Sequence, residues 1–101
     1  MRAVKVEYTV RPEFAGQNAA NIRRVMDALR ASPIDGMRYM AFTAEDGHSF
    51  VHINVATDDE TLIKVAELPE FKEFQSALKA SDPLSPPSPT KLDLVGAGFD
   101  F

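Results

Sequence analysis

"MRYMAFTAEDGHSFVHINV", residues 37–55, decides the fold. Asp46-Gly47 stands between two runs of alternating character, the strongest short-range signal for a β-hairpin. With Asp46 and Gly47 as the turn, Glu45 faces His48, Thr43 faces Phe50, Ala41 faces His52 and Tyr39 faces Asn54. The opposite face then pairs Phe42 with Val51, Met40 with Ile53 and Arg38 with Val55. Side chains alternate along a strand, so a slip of one residue would move both sets to the wrong side. The second set is the more apolar and is expected to pack on helices. The first set, Tyr39, Ala41, Thr43, His48, Phe50, His52 and Asn54, is expected on the uncovered face.

Upstream, Val4, Val6, Tyr8 and Val10 alternate with Lys5, Glu7, Thr9 and Arg11, the period of a half-buried strand that Pro12 ends. From Phe14 to Arg30 the period becomes helical, with Ile22, Val25, Met26 and Leu29 on one apolar stripe. Pro33 and Gly36 close that helix. Downstream, "TDDE" (57–60) supplies a cap and first-turn carboxylates for a second helix carrying Leu62, Val65 and Ala66. Pro69 opens a further helical piece with Phe71, Phe74 and Leu78 as core residues. "SDPLSPPSPT" (81–90) reads as a stiff extended connector, and "KLDLVGAGFDF" (91–101) as the terminal strand.

The order βαββαβ fills residues 1–101 as one domain. Right-handed crossovers put both helices on one side of a single antiparallel sheet, a ferredoxin-like α+β sandwich. A chain of 101 residues buries a modest share of its surface, so a second copy over the bare sheet face would help it.

Composition narrows the chemistry. The formal charge is −4 and no basic stripe exists, which argues against a nucleic-acid partner. There are no cysteines, so disulfides and thiolate chemistry are excluded. No stretch is apolar for long enough to span a membrane, and a cytoplasmic location is the expectation.

The two histidines of the chain, His48 and His52, lie about 13 Å apart on an extended strand, too far to share one metal ion. No metal site is expected. In this strand order the first and third strands are neighbours, which sets Glu7 beside His52 as a candidate acid–base dyad. Tyr39 and Asn54 are then hydrogen-bond partners for a substrate oxygen. Phe50, Ala41 and Thr43 would line the same chamber, and Gly96 and Gly98, sharing a face without side chains, would let a ligand come close. His48, next to the turn, is expected to be exposed.

The element order, the helix "LPEFKEFQSAL" (68–78) and the late terminal strand resemble the dimeric α/β-barrel superfamily, near its antibiotic-biosynthesis-monooxygenase-like group. That resemblance implies two ferredoxin-like subunits pressing their sheets together into a barrel. It also implies chemistry ranging from cofactor-independent oxygenation of aromatics to isomerisation. Haem degradation is disfavoured, since the chain has no tryptophan and its histidines are strand-borne.

Two readings stay open. One is a homodimer, without cofactor, that binds a small aromatic or hydrophobic molecule and oxidises or isomerises it. The other is a non-catalytic ligand-binding or assembly module.

Overall fold

The computed structural model describes residues 1–100. Four strands form one antiparallel sheet: β1 (Arg2–Thr9), β2 (Met37–Thr43), β3 (Ser49–Ala56) and β4 (Ser85–Asp93), in the order β2-β3-β1-β4. α1 (Ala15–Ala31) joins β1 to β2 after a 3-10 turn at Pro12–Phe14. The return from β3 to β4 runs through α2 (Asp59–Leu62), a 3-10 segment (Ile63–Glu67) and α3 (Pro69–Ala80). This is the expected ferredoxin-like α+β sandwich.

Local chemistry accounts for the ends of these elements. The Asp58 carboxylate accepts from the Thr61 backbone N–H and caps α2, while Pro69 occupies the first turn of α3, where a missing N–H costs nothing. At the hairpin, Gly47 adopts φ +80° and its N–H donates to Ala44 O at 3.0 Å. Asp46 Oδ1 accepts from the backbone N–H of both His48 and Ser49, and Ser49 Oγ donates to Oδ2 at 2.6 Å. Those donors hold the Asp46 carboxyl at about 2, below its usual value, with the Ser49 hydroxyl the largest cause.

The hairpin register is the expected one: Tyr39 pairs with Asn54, Ala41 with His52, Thr43 with Phe50, Met40 with Ile53 and Phe42 with Val51. The side on which the helices lie is not. Phe50, His52, Asn54 and Ala56 are buried beneath the helices, and Tyr39 and Ala41 share that face. Met40 and Phe42 are exposed on the other side.

The physical reason is visible in β1. Val6 and Tyr8 do pack toward the helices, as expected, and in the β1–β3 register they stand opposite His52 and Phe50. Cross-strand partners share a face, so the aromatic and polar set goes inward with Tyr8. Stacking of Tyr8 on Phe50 (ring centroids 5.5 Å apart, 15° between planes) and hydrogen bonds at both ring nitrogens offset the desolvation of His52. The more apolar set, Val51, Ile53, Val55, Met40 and Phe42, is left on the bare face beside Ala3 and Leu92.

The core joins Tyr8, Val10 and Phe50 of the sheet side to Ile22 and Val25 of α1 and to Phe74 and Leu78 of α3, with Phe71 packed against it. Arg24 of α1 bonds Glu73 of α3 at 2.8 Å across the helix layer.

β4 begins earlier than expected. Residues 85–90, with Pro86, Pro87 and Pro89, belong to the strand rather than to a connector, and regular structure ends at Asp93. An edge strand needs its N–H groups only on one side, which is where prolines are tolerated in a sheet. Gly96 and Gly98 therefore fall beyond the strand, and a Cβ built on either meets nothing within 4 Å.

Candidate functional site

Four side chains, from three strands and a helix, meet in the interior: Tyr8 of β1, Asn18 of α1, Tyr39 of β2 and His52 of β3. His52, 4% exposed, has both ring nitrogens engaged, Nε2 with Tyr8 Oη at 2.7 Å and Nδ1 with Tyr39 Oη at 2.6 Å. Phe74 packs against the imidazole with ring centroids 5.3 Å apart, and Phe71 meets Tyr39 edge-on.

With His52 protonated at Nδ1, the hydrogen bonds of the cluster form one directed chain. Tyr8 Oη accepts from Asn18 Nδ2–H at 2.9 Å, and the hydrogen-bond partner for its own proton is His52 Nε2. A neutral imidazole accepting at Nε2 carries its hydrogen on Nδ1 and donates it to Tyr39 Oη. The hydroxyl proton of Tyr39 is then the one the cluster does not consume. Every bond in the chain Asn18, Tyr8, His52, Tyr39 points the same way.

Burial sets the charge states. Desolvation lowers the His52 pKa to about 4, so the ring is neutral at pH 7. The same desolvation pushes both phenols above their ordinary range. At neutral pH the cluster is uncharged and donates rather than ionises.

Tyr39 also lines a cleft of about 740 Å³ between α1 and β2. One wall is α1, with Ile22, Met26 and Leu29, and the floor is Tyr39, Ala41, Thr43 and Phe50. Phe42 and Met40 of the edge strand β2, Ile34 and Met37 before and at its start, and Arg23 and Arg30 of α1 also line it. The space is large enough for a small organic molecule and is mainly apolar with few polar groups, the usual makeup of a ligand pocket.

The sequence candidates are thus divided. Tyr39 and His52 are brought together, and Ala41, Thr43 and Phe50 join Tyr39 along the cleft, although on the helix side of the sheet. Asn54 is buried elsewhere, donating from Nδ2 to Leu62 O at 3.0 Å and tying β3 to the end of α2. Glu7 is no partner of His52. It lies on the bare face, exposed, 3.7 Å from Lys5 Nζ, because its β3 partner is Val51 and not a residue of the buried set. Gly96 and Gly98 lie past β4. His48 is half-buried rather than exposed, its Nδ1 donating to Val10 O at 2.8 Å.

Sequence reasoning misses Tyr8 and Asn18. Asn18 had a legible signal: it precedes Ile22 by one helical turn and so continues the apolar stripe of α1 as its single amide. Tyr8 had none, since alternation alone made it an ordinary core residue.

No protein-family model matches the sequence, and no curated protein matches it. Solved structures do resemble the fold. The crystal structure of an antibiotic biosynthesis monooxygenase superposes with a TM-score of 0.81 at 18% identity, over 95% of this chain and 100% of that one. Rv0793 from Mycobacterium tuberculosis gives 0.81 at 18% identity, over 97% and 98% of the two chains. SnoaB, a cofactor-independent oxygenase from Streptomyces nogalater, gives 0.73 at 19% identity, over 98% and 97%. The chain has the antibiotic-biosynthesis-monooxygenase-like fold over nearly its whole length. Among the described residues, no helix is long and apolar enough to cross a membrane.

Proposed function

We propose that this chain binds a small aromatic or hydrophobic molecule in the cleft between α1 and β2, with the Tyr39 hydroxyl holding an acceptor oxygen of that molecule. The observation that carries this reading is the double membership of Tyr39, in the apolar cleft and in the chain of hydrogen bonds to His52. A donor fixed in place by a second, buried donor needs no reorganisation when a carbonyl or phenolate oxygen gains negative charge. That arrangement suits enolisation, isomerisation or the activation of a phenol toward dioxygen, chemistry that requires no cofactor. Cofactor-independent oxygenation belongs to SnoaB, and the fold it shares with this chain lends weight to the same class of chemistry here.

The working unit in this reading is a homodimer. The bare sheet face presents Val51, Ile53, Val55, Met40, Phe42 and Leu92, interspersed with Lys5, Glu7 and Arg38, and Phe42 is 51% exposed in the single chain. Apolar surface of that extent supports burial against a second copy. The sheet-to-sheet chamber expected from the sequence, however, would be lined by these apolar residues and not by the histidine cluster.

Titration of 2-naphthol followed by intrinsic fluorescence and by amide NMR tests the reading. Binding is expected to perturb residues of α1 and β2, and Tyr39→Phe is expected to weaken it by about tenfold, the worth of one well-placed hydrogen bond. Perturbations confined to the bare face, or an unchanged affinity in the variant, would overturn it.

A further inference from the structure

The cleft carries charge of one sign. Arg23 and Arg30 both line it, and among the described residues no Asp or Glu does, in a chain whose formal charge is −4. Seven residues apart on α1, they stand on the same side of the helix, about 10 Å apart along its axis. Neither makes a salt bridge among the described residues, whereas the adjacent Arg24 is held by Glu73 at 2.8 Å. The apolar lining residues and Tyr39 share the cleft with this pair.

From this we infer that the natural ligand is an amphipathic anion, an aromatic or aliphatic carboxylic acid. Its apolar part rests on Met26, Leu29 and Phe50, and its carboxylate meets the Arg23 and Arg30 guanidiniums. The fork geometry of guanidinium suits a carboxylate, which it can engage through two parallel N–H donors. A ligand so held is oriented end to end, with its charged group at α1 and the remainder against the sheet. The inference rests on the cleft being the small-molecule site and adds the chemical class of what enters it.

The experiment compares 2-naphthoate with its neutral methyl ester, by calorimetry and amide NMR on the intact chain. The acid is expected to bind at least about tenfold more tightly than the ester, with the difference vanishing at about 1 M salt, where screening acts over about 3 Å. In the double variant Arg23→Gln, Arg30→Gln the acid's affinity falls to that of the ester. Both side chains are exposed, so neither substitution opens the core. Equal affinity for acid and ester in the unaltered chain, or a preference for the acid that survives the double substitution, overturns the carboxylate inference alone. Failure of both probes to shift α1 and β2 residues overturns the cleft reading and this inference with it.

Discussion

Tyr8 Oη lies 2.7 Å from His52 Nε2, joining residues 44 apart in the chain at the centre of the helix–sheet interface. The bond is inaccessible to solvent, with Tyr8 3% and His52 4% exposed. Together with the Tyr39 bond to Nδ1 it holds the imidazole at both ring nitrogens. Stability and the proposed binding of a ligand at Tyr39 therefore involve the same cluster.

Tyr8→Phe removes the hydroxyl and leaves Asn18 Nδ2 and His52 Nε2 without it in a buried setting. Urea unfolding is expected to show a loss of about 1–3 kcal/mol, the range for orphaned buried polar groups. Asn18→Leu combined with Tyr8→Phe should cost less than the sum of the two single losses, because the two residues share one bond. Strict additivity in that double-mutant cycle would show that the network is not coupled.

The His52 pKa is about 4 in the folded chain, against 6.5 for an ordinary histidine, and burial is the cause. Between those values the unfolded chain binds the extra proton, so folding stability falls as pH drops from about 6.5 toward 4 and is fully present above that window. The loss should approach about 2–3 kcal/mol. Asp46, lowered to about 2, titrates below this range and contributes little to it. Unfolding midpoints measured from neutral pH down to about 4.5 should follow this slope, and His52→Gln should flatten it. A profile identical in both proteins would assign the slope to other groups.

Ile53 of β3 is half-buried on the bare face, between Met40 of β2 and Lys5 of β1. Ile53→Glu places a charge where the second copy is proposed to pack, and sedimentation should show a dimer for the parent chain and a single subunit for the variant. A parent chain that remains a lone subunit at high concentration would remove the dimer from the proposal.

Gly36 and Gly47 both have positive φ, at +77° and +80°, but their surroundings differ. A Cβ at Gly36 would meet Thr57 Oγ1 at 2.9 Å, whereas at Gly47 it would meet nothing within 4 Å. Gly47→Ala is expected to cost about 1 kcal/mol of backbone strain, and Gly36→Ala more than that. Thermal melts ranking them in the reverse order would show that the Thr57 contact yields freely.

The order of elements, the hairpin register, the α1 stripe and the helix opened by Pro69 were all legible in the chain. Each rests on the spacing of near neighbours or on a residue with a backbone preference of its own, as Gly47 and Pro69 have. The side of the sheet that meets the helices was not legible, and hydropathy pointed to the wrong one. Val51, Ile53 and Val55 are more apolar than Phe50, His52 and Asn54, yet the latter are inside, where Tyr8 and Tyr39 engage both ring nitrogens of His52 and Leu62 O accepts from Asn54 Nδ2. The separation of Glu7 from His52 follows from the same reversal. A histidine's hydrogen-bond partners, unlike its place in an alternating strand, come from other elements, so tertiary pairing alone decides whether it is buried. The prolines of β4 follow the same logic, since an edge position permits what a central strand forbids.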